Sequence, residues 1–219
     1  MFGPAPSAEA LGCSQPSASP TFEAKPPAGR REIEINVRKV TLGLANSLDN
    51  YIARKDGGSD WLRWSKEVAE ISAAFMKTID AILIGRKTYE VMLNYGETSY
   101  PGGKNYVFSR SKKGRTALAR ALARKPDQNV EIVNEDATAF VGKLRKRKGK
   151  GIVVFGGGEL AKSLFEAALI DEIVLNIQPV LLGSGIPLFH EMKKQINLDL
   201  IDSRRLKTGG LIVSYRVKH

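Results

Sequence analysis

Hydrophobic and polar positions fall into an ordered pattern only from about residue 36 onward. Val37 to Ala45 reads as a first buried strand. Val68, Ile71, Phe75 and Ile79 recur at helical spacing and predict a helix over Lys66–Thr78. Ala81–Ile84 is a short apolar strand that ends at Gly85, and Lys87–Leu93 fits a helix. Asn105–Phe108 is a strand, a basic helix covers about Thr116–Arg124, and Val130–Val133 is another strand. A helix over Ala137–Lys146, an apolar strand over Gly151–Phe155, a helix over Glu159–Ala168 and a strand over Glu172–Pro179 follow. Leu198–Lys207 and Gly210–Val217 pair as a closing hairpin through Thr208, Gly209 and Gly210.

Strands alternating with helices imply an α/β fold with a mainly parallel sheet covered on both faces. The hairpin adds an antiparallel edge. Residues 1–35 carry no hydrophobic period and are rich in Pro, Ala, Ser and Gly. A segment of that kind buries too little surface to offset its ordering entropy, so we expect a disordered tail before one domain over 36–219.

Composition narrows the classes. No apolar run approaches the roughly 20 residues of a membrane-spanning helix. The single cysteine, Cys13, lies in the tail, so neither a disulfide framework nor a Cys-based metal site fits within one chain. The two histidines, His190 and His219, are too few for a His-rich metal site, and we expect no metal. A reducing, cytoplasmic compartment is compatible with this usage.

The net charge of +11 belongs to the predicted domain, because over residues 1–38 Lys25, Arg30, Arg31 and Arg38 balance Glu9, Glu23, Glu32 and Glu34. Two runs carry much of it, Arg110–Lys125 and Lys143–Lys150. They read as a solvated face, as a field favouring an anionic cofactor, or as a nucleic-acid surface. Almost no aromatics interrupt them, which counts against stacking on single-stranded bases.

Three predicted strand ends run into loops suited to an anion. Ligands of open α/β sheets sit at the carboxyl ends of strands. Gly85-Arg86-Lys87-Thr88 combines close backbone approach, a helix start and two cations. Phe108-Ser109-Arg110-Ser111 offers hydroxyls and a guanidinium that could hold a 2′-phosphate, or a polar turn with Ser as helix cap. Gly156-Gly157-Gly158-Glu159-Leu160 places three successive glycines between an apolar strand and an amphipathic helix. A diphosphate on bare amides accounts for that conformational cost. The spacing is not that of the Rossmann fingerprint.

Together with Ser47-Leu48-Asp49, Tyr51-Ile52-Ala53, Thr88-Tyr89-Glu90, Asp171-Glu172 and the run from Pro179 to Phe189, these motifs resemble the dihydrofolate-reductase superfamily. The branch they resemble more closely is that of the C-terminal reductase domain of the riboflavin-biosynthesis deaminase-reductase. The resemblance spans about residues 38–217. It implies a dihydrofolate-reductase-like three-layer fold and NADPH as cofactor. Gly85, Arg86, Lys87 and Thr88 would hold the diphosphate and 2′-phosphate. Ser109 and Arg110 would flank the adenosine, and Gly156, Gly157, Gly158, Glu159 and Leu160 would cradle the diphosphate from the other side. Ala45 would lie near the nicotinamide. The segment from Ser47 to Trp64 would cover the substrate, with Asp49, Trp61 and Trp64 as candidate contacts. Trp61 and Trp64 are equally readable as core aromatics, and Asp49 as a turn residue.

Reduction of a C=N or C=O bond also needs a proton donor. The superfamily places a carboxylate on the first helix. Here the choices are Asp60, Glu67 and Glu70, and the spacing from neither Gly85 nor Phe75 lands on one of them. The riboflavin-pathway reductases tend to carry a carboxylate before the glycine pair, where this chain has Phe155, and Gly-Lys where it has Asn50-Tyr51.

The resemblance therefore points to an NADPH-dependent reductase of a small heterocycle, a pterin or a riboflavin-pathway pyrimidine, working as a homodimer. The alternative is an NADPH-binding module of the same fold without catalysis. Nucleic-acid binding through the basic runs is a third and weaker reading.

Overall fold

The computed structural model describes residues 37–219, so the expected disordered tail lies outside the described residues. The first strand, β1, spans Val40–Ser47 and is followed by a short β2 over Tyr51–Ala53. Then come α1 (Lys66–Met76), β3 (Ile79–Gly85), α2 (Arg86–Asn94), β4 (Lys104–Phe108), α3 (Lys112–Arg124) and β5 (Val130–Val133). They are followed by α4 (Ala137–Leu144), β6 (Gly151–Val154), α5 (Gly158–Glu166), β7 (Glu172–Gln178) and β8 (Ile186–Pro187). β9 (Leu198–Arg205) and β10 (Leu211–Val217) close the chain.

Eight strands form one sheet in the order β5-β4-β3-β6-β1-β7-β10-β9. Pairs from β5 through β7 are parallel, and β10 joins β7 and β9 antiparallel. This is the α/β, three-layer architecture expected of a dihydrofolate-reductase-like fold. Side chains alternate across it. Ile82 and Ile84 of β3 pack with Tyr89, Met92 and Leu118 on the face of α1, α2 and α3. Ala81 and Leu83 turn to Phe140, Val141 and Leu164 on the face of α4 and α5. Ile79 breaks the alternation because the β3–β6 register shifts between Ile79 and Ala81.

Helix starts divide into two kinds. Ser65, Ser111 and Asp136 cap α1, α3 and α4 with their side chains. α2 and α5 begin at Gly85 and Gly157, which offer no side-chain cap. Their first amides stay free for another acceptor.

Most element boundaries differ from the pattern reading by one to three residues, and three departures bear on the site. α3 starts at Lys112 rather than Thr116, because the Ser111 hydroxyl accepts from the Gly114 amide at 2.8 Å. α4 stops at Leu144, and the basic residues beyond it form the turn into β6. The expected cover over Ser47–Trp64 contains β2, which pairs antiparallel with β8. Two- and three-residue strands carry no detectable period of their own.

Candidate active site

The carboxyl ends of β3 and β6 meet at the middle of the sheet. There the Gly85 amide donates to the Gly156 carbonyl at 2.7 Å. The two chains touch through backbone alone: a Cβ on residue 85 would lie 2.9 Å from the Gly157 nitrogen. Gly156 has φ +110, a left-handed value that favours glycine. The uncapped starts of α2 and α5 are thereby brought side by side at one cleft of about 1040 Å³. Two sets of free amides with the positive ends of two helix dipoles suit an anion.

The strand order gives the cleft two unlike halves. Toward β4 and β5 it is lined by Arg86, Lys87, Ser109, Arg110, Ser111, Arg115 and the loop Asn134–Ala137. Gly114 lets α3 close under this wall, since a Cβ there would come 2.6 Å from Ser109 Oγ and 2.7 Å from Arg86 Cδ. Arg115 Nη1 donates to the Ser109 carbonyl at 2.7 Å, and Arg86 forks onto both Glu90 oxygens at 2.7 and 2.9 Å. Toward β1 and β2 the lining turns apolar, with Ala45, Ile52, Ala53, Leu62, Val91 and Ile186; Tyr95, after α2, and Tyr100, before β4, also line the cleft. The carboxylates on the lining, Glu135, Asp136 and Glu159, belong to the first half.

Every residue proposed for the cofactor lies on this cleft: Ala45, Gly85, Arg86, Lys87, Thr88, Ser109, Arg110, Gly156, Gly157, Gly158, Glu159 and Leu160. The substrate and acid candidates do not. Asp60 is held by Arg54, with contacts of 2.7 and 3.0 Å, and its carboxyl is drawn below the usual range by that hydrogen bond. Glu67 accepts from the Lys207 amide at 3.0 Å and from Arg204 at 3.1 Å, which fastens α1 to the β9–β10 hairpin. The Lys207 amide is the main cause of its lowered pKa. Glu70 faces solvent beside Lys66 at 3.8 Å. Trp61 is buried off the cleft with its indole nitrogen unpartnered, and Trp64 is 67% exposed.

Asp49 clasps two motifs together. Its carboxylate accepts from Ser47 Oγ at 2.5 Å, from the Leu182 amide at 3.1 Å and from the Gly183 amide at 2.7 Å. The Ser47 bond does most to hold its pKa below the usual carboxylate range. Gly185 completes the clasp, because a Cβ there would collide with the Ala53 carbonyl at 2.2 Å. The run from Pro179 to Phe189 thus fixes β2 and β8 as the lip of the cleft and places Ile186 on its lining.

Pattern reading missed the Asn134–Ala137 loop, although it follows β5 by the same strand-end rule as the other loops. It also missed Tyr100 and His190. Tyr100 reaches the cleft from the long connection before β4. Its ring lies 4.8 Å from that of Phe155, and buried Asn105 grips its backbone at both N–H and C=O.

Among the described residues no group of three His, Cys, Asp or Glu is placed to hold a metal, and no helix is long and apolar enough to cross a membrane.

A profile of the RibD C-terminal domain family matches residues 38–212. The chain is 37% identical over 165 residues to the uncharacterized protein YwjB of Bacillus subtilis (strain 168), covering 74% of this chain and 89% of that protein. A provisionally assigned riboflavin biosynthesis protein from Shewanella sp. PV-4 superposes with a TM-score of 0.69 at 26% identity, over 83% of this chain and 99% of that one. A dihydrofolate reductase from Enterococcus faecalis complexed with NADP(H) superposes with a TM-score of 0.58 at 14% identity, over 83% and 97% of the two chains, a likeness of fold alone.

Proposed function

The chain belongs to the RibD C-terminal domain family, and from that premise we propose that it is an NADPH-dependent reductase of a small heterocycle. The observation that carries this is the convergence of two uncapped helix starts on a glycine-only contact, beside a wall of cations. Those residues fit a dinucleotide. Gly85, Thr88 and Gly156–Leu160 would hold the diphosphate, Arg86, Lys87 and Arg110 the 2′-phosphate, and Ser109 the adenosine side. Ala45 would border the nicotinamide. When bound, the cofactor supplies a hydride at the apolar half of the cleft.

The chain's own contribution there is exclusion of water and placement of the substrate. Ile52, Ala53, Leu62, Val91 and Ile186 make a low-dielectric wall. The Asp49 clasp keeps β2 and β8 in place. We read Tyr100 as the proton donor. It lines the cleft and is fixed at both its backbone and its ring. Burial alone raises its pKa, so it stays protonated at neutral pH. Asp60 and Glu67 are engaged elsewhere and serve structure in this reading, and Glu70 faces solvent.

The binding-module alternative has one observation in its favour, the absence of a carboxylate from the apolar half. Titration of NADPH and NADH followed by a panel of dihydropterins and aminopyrimidines tests the proposal. Tighter binding of NADPH and its oxidation by one panel member are expected. NADPH binding without oxidation by any of them would leave the binding module, and no binding of either nucleotide would defeat both.

A further inference from the structure

The third glycine of the Gly156–Gly158 run is not accounted for by an open anion cradle. A Cβ on Gly158 would lie 2.6 Å from both Cδ2 and Nε2 of His190, and 2.8 Å from the Leu188 carbonyl oxygen. The absent side chain is the space in which the imidazole sits. His190 lines the cleft and is pressed onto the first residue of α5, with 28% of its side chain exposed.

Glu159, the next residue, is an unexpected group for a phosphate site, because a carboxylate repels the ligand. Its two oxygens face His190 and Arg110 instead. Oε1 is 3.8 Å from His190 Nδ1, and Oε2 is 3.4 Å from an Arg110 amino nitrogen. Glu191 follows His190 in its own segment. Across the cleft stand Arg86, Lys87 and Arg115.

We propose that His190 is a ligand of the cofactor diphosphate, held over the uncapped start of α5 by Gly158 and oriented by Glu159. This deepens the NADPH reading and rests on it. With Nδ1 turned to Glu159, Nε2 is the atom free to donate. The imidazolium adds a full charge to the free amides of α5, whereas the neutral ring adds one N–H at most. Imidazoles as a class change charge between about pH 5 and 8, so affinities on either side of that window separate the two forms. Glu159 is a positioning residue here: it faces Nδ1 and orients the ring.

The test is NADPH affinity of the full chain and of H190Q at pH 6.0 and 8.5, by fluorescence titration. The 2′-phosphate of the probe titrates in the same window, so the ratio between variants is the quantity to read. H190Q should bind about tenfold more weakly than the parent at pH 6.0, which is about 1.4 kcal/mol, and within about twofold at pH 8.5. A ratio near one at pH 6.0, or the same ratio at both pH values, would overturn the proposal. Glu159→Gln should change NADPH affinity by one factor in the parent and by another in the H190Q background; the same factor in both would remove Glu159 from the device. If the parent binds no NADPH at either pH, the cofactor reading itself fails, a result distinct from binding that ignores His190.

Discussion

The amide of Gly85 donates to the carbonyl of Gly156 at 2.7 Å, and this single bond joins the two helix starts that define the cleft. The contact leaves no room on the Gly85 side, where a Cβ would lie 2.9 Å from backbone. On Gly157 a Cβ would meet Thr88 Oγ1 at an ordinary 3.4 Å. Gly85→Ala should therefore cost stability, by about 1–3 kcal/mol for an overpacked site. Gly157→Ala should fold with less than half that loss and act mainly on cofactor affinity. Urea unfolding beside NADPH titration separates the two; equal losses of stability would contradict the packing.

Much of the frame was legible in the sequence because buried strands and amphipathic helices carry their own period. The loops after β3, β4 and β6 were legible as well, since glycine, serine and arginine at strand ends leave a mark in the text of the chain. What stayed hidden depends on tertiary contact. Nothing near Gly158 in sequence points to His190, 32 positions away, and nothing near Asn105 shows that it fixes Tyr100. Glu67 illustrates the converse. It stands on α1, the helix expected to carry an acid, though off the expected spacing, and only the fold shows it spent on Arg204 and the Lys207 amide.

Arg110 is 3.4 Å from Glu159 and otherwise exposed, while Arg86 is engaged by Glu90 through both oxygens. Arg110 is the freer of the two to meet a 2′-phosphate. Arg110→Ala should weaken NADPH roughly tenfold, in line with loss of a charge-assisted contact, and leave NADH within about twofold. Parallel loss of both nucleotides would place Arg110 at the diphosphate instead.

Asp49, Glu67, Asp60 and Asp136 all have pKa values lowered in the folded chain, chiefly by hydrogen bonds from Ser47, the Lys207 amide, Arg54 and Thr138 respectively. A depressed folded pKa means that the unfolded chain binds the proton first. The stabilisation is complete above the ordinary carboxylate range of about 4 and is lost as pH falls through the folded values. The urea midpoint should stay flat from pH 7 to about 5 and drop below about 4. Asp49→Asn should lower the pH 7 midpoint and soften the acid slope; an unchanged slope would deny the clasp its role.

β9 is exposed along all eight residues, and Leu198, Leu200 and Ile201 present apolar surface at the sheet's edge. We propose this edge, with the closing hairpin, as the homodimer contact. Its pairing groups and apolar side chains are the features through which exposed edges associate. Leu200→Asp should convert a dimer into a monomer in sedimentation equilibrium while leaving the far-ultraviolet spectrum unchanged. A parent chain that is already monomeric at high micromolar concentration would refute the contact.

Tyr100 and the three carboxylates off the cleft give opposite expectations for the proton step. Tyr100→Phe removes one hydroxyl and keeps the ring contact with Phe155 at 4.8 Å, so NADPH affinity and fold should be unaltered. Turnover of whichever heterocycle the panel identifies should fall by roughly 10²–10⁴, the usual yield of a general acid. Glu70→Gln, on an exposed residue 3.8 Å from Lys66, should leave turnover within about twofold. Glu67→Gln should lower the melting temperature through the hairpin contact while its turnover, measured well below that temperature, stays close to the parent's. A loss of turnover in Glu67→Gln at unchanged stability, with Tyr100→Phe fully active, would return the acid to the first helix and require that helix to move toward the cleft when substrate binds.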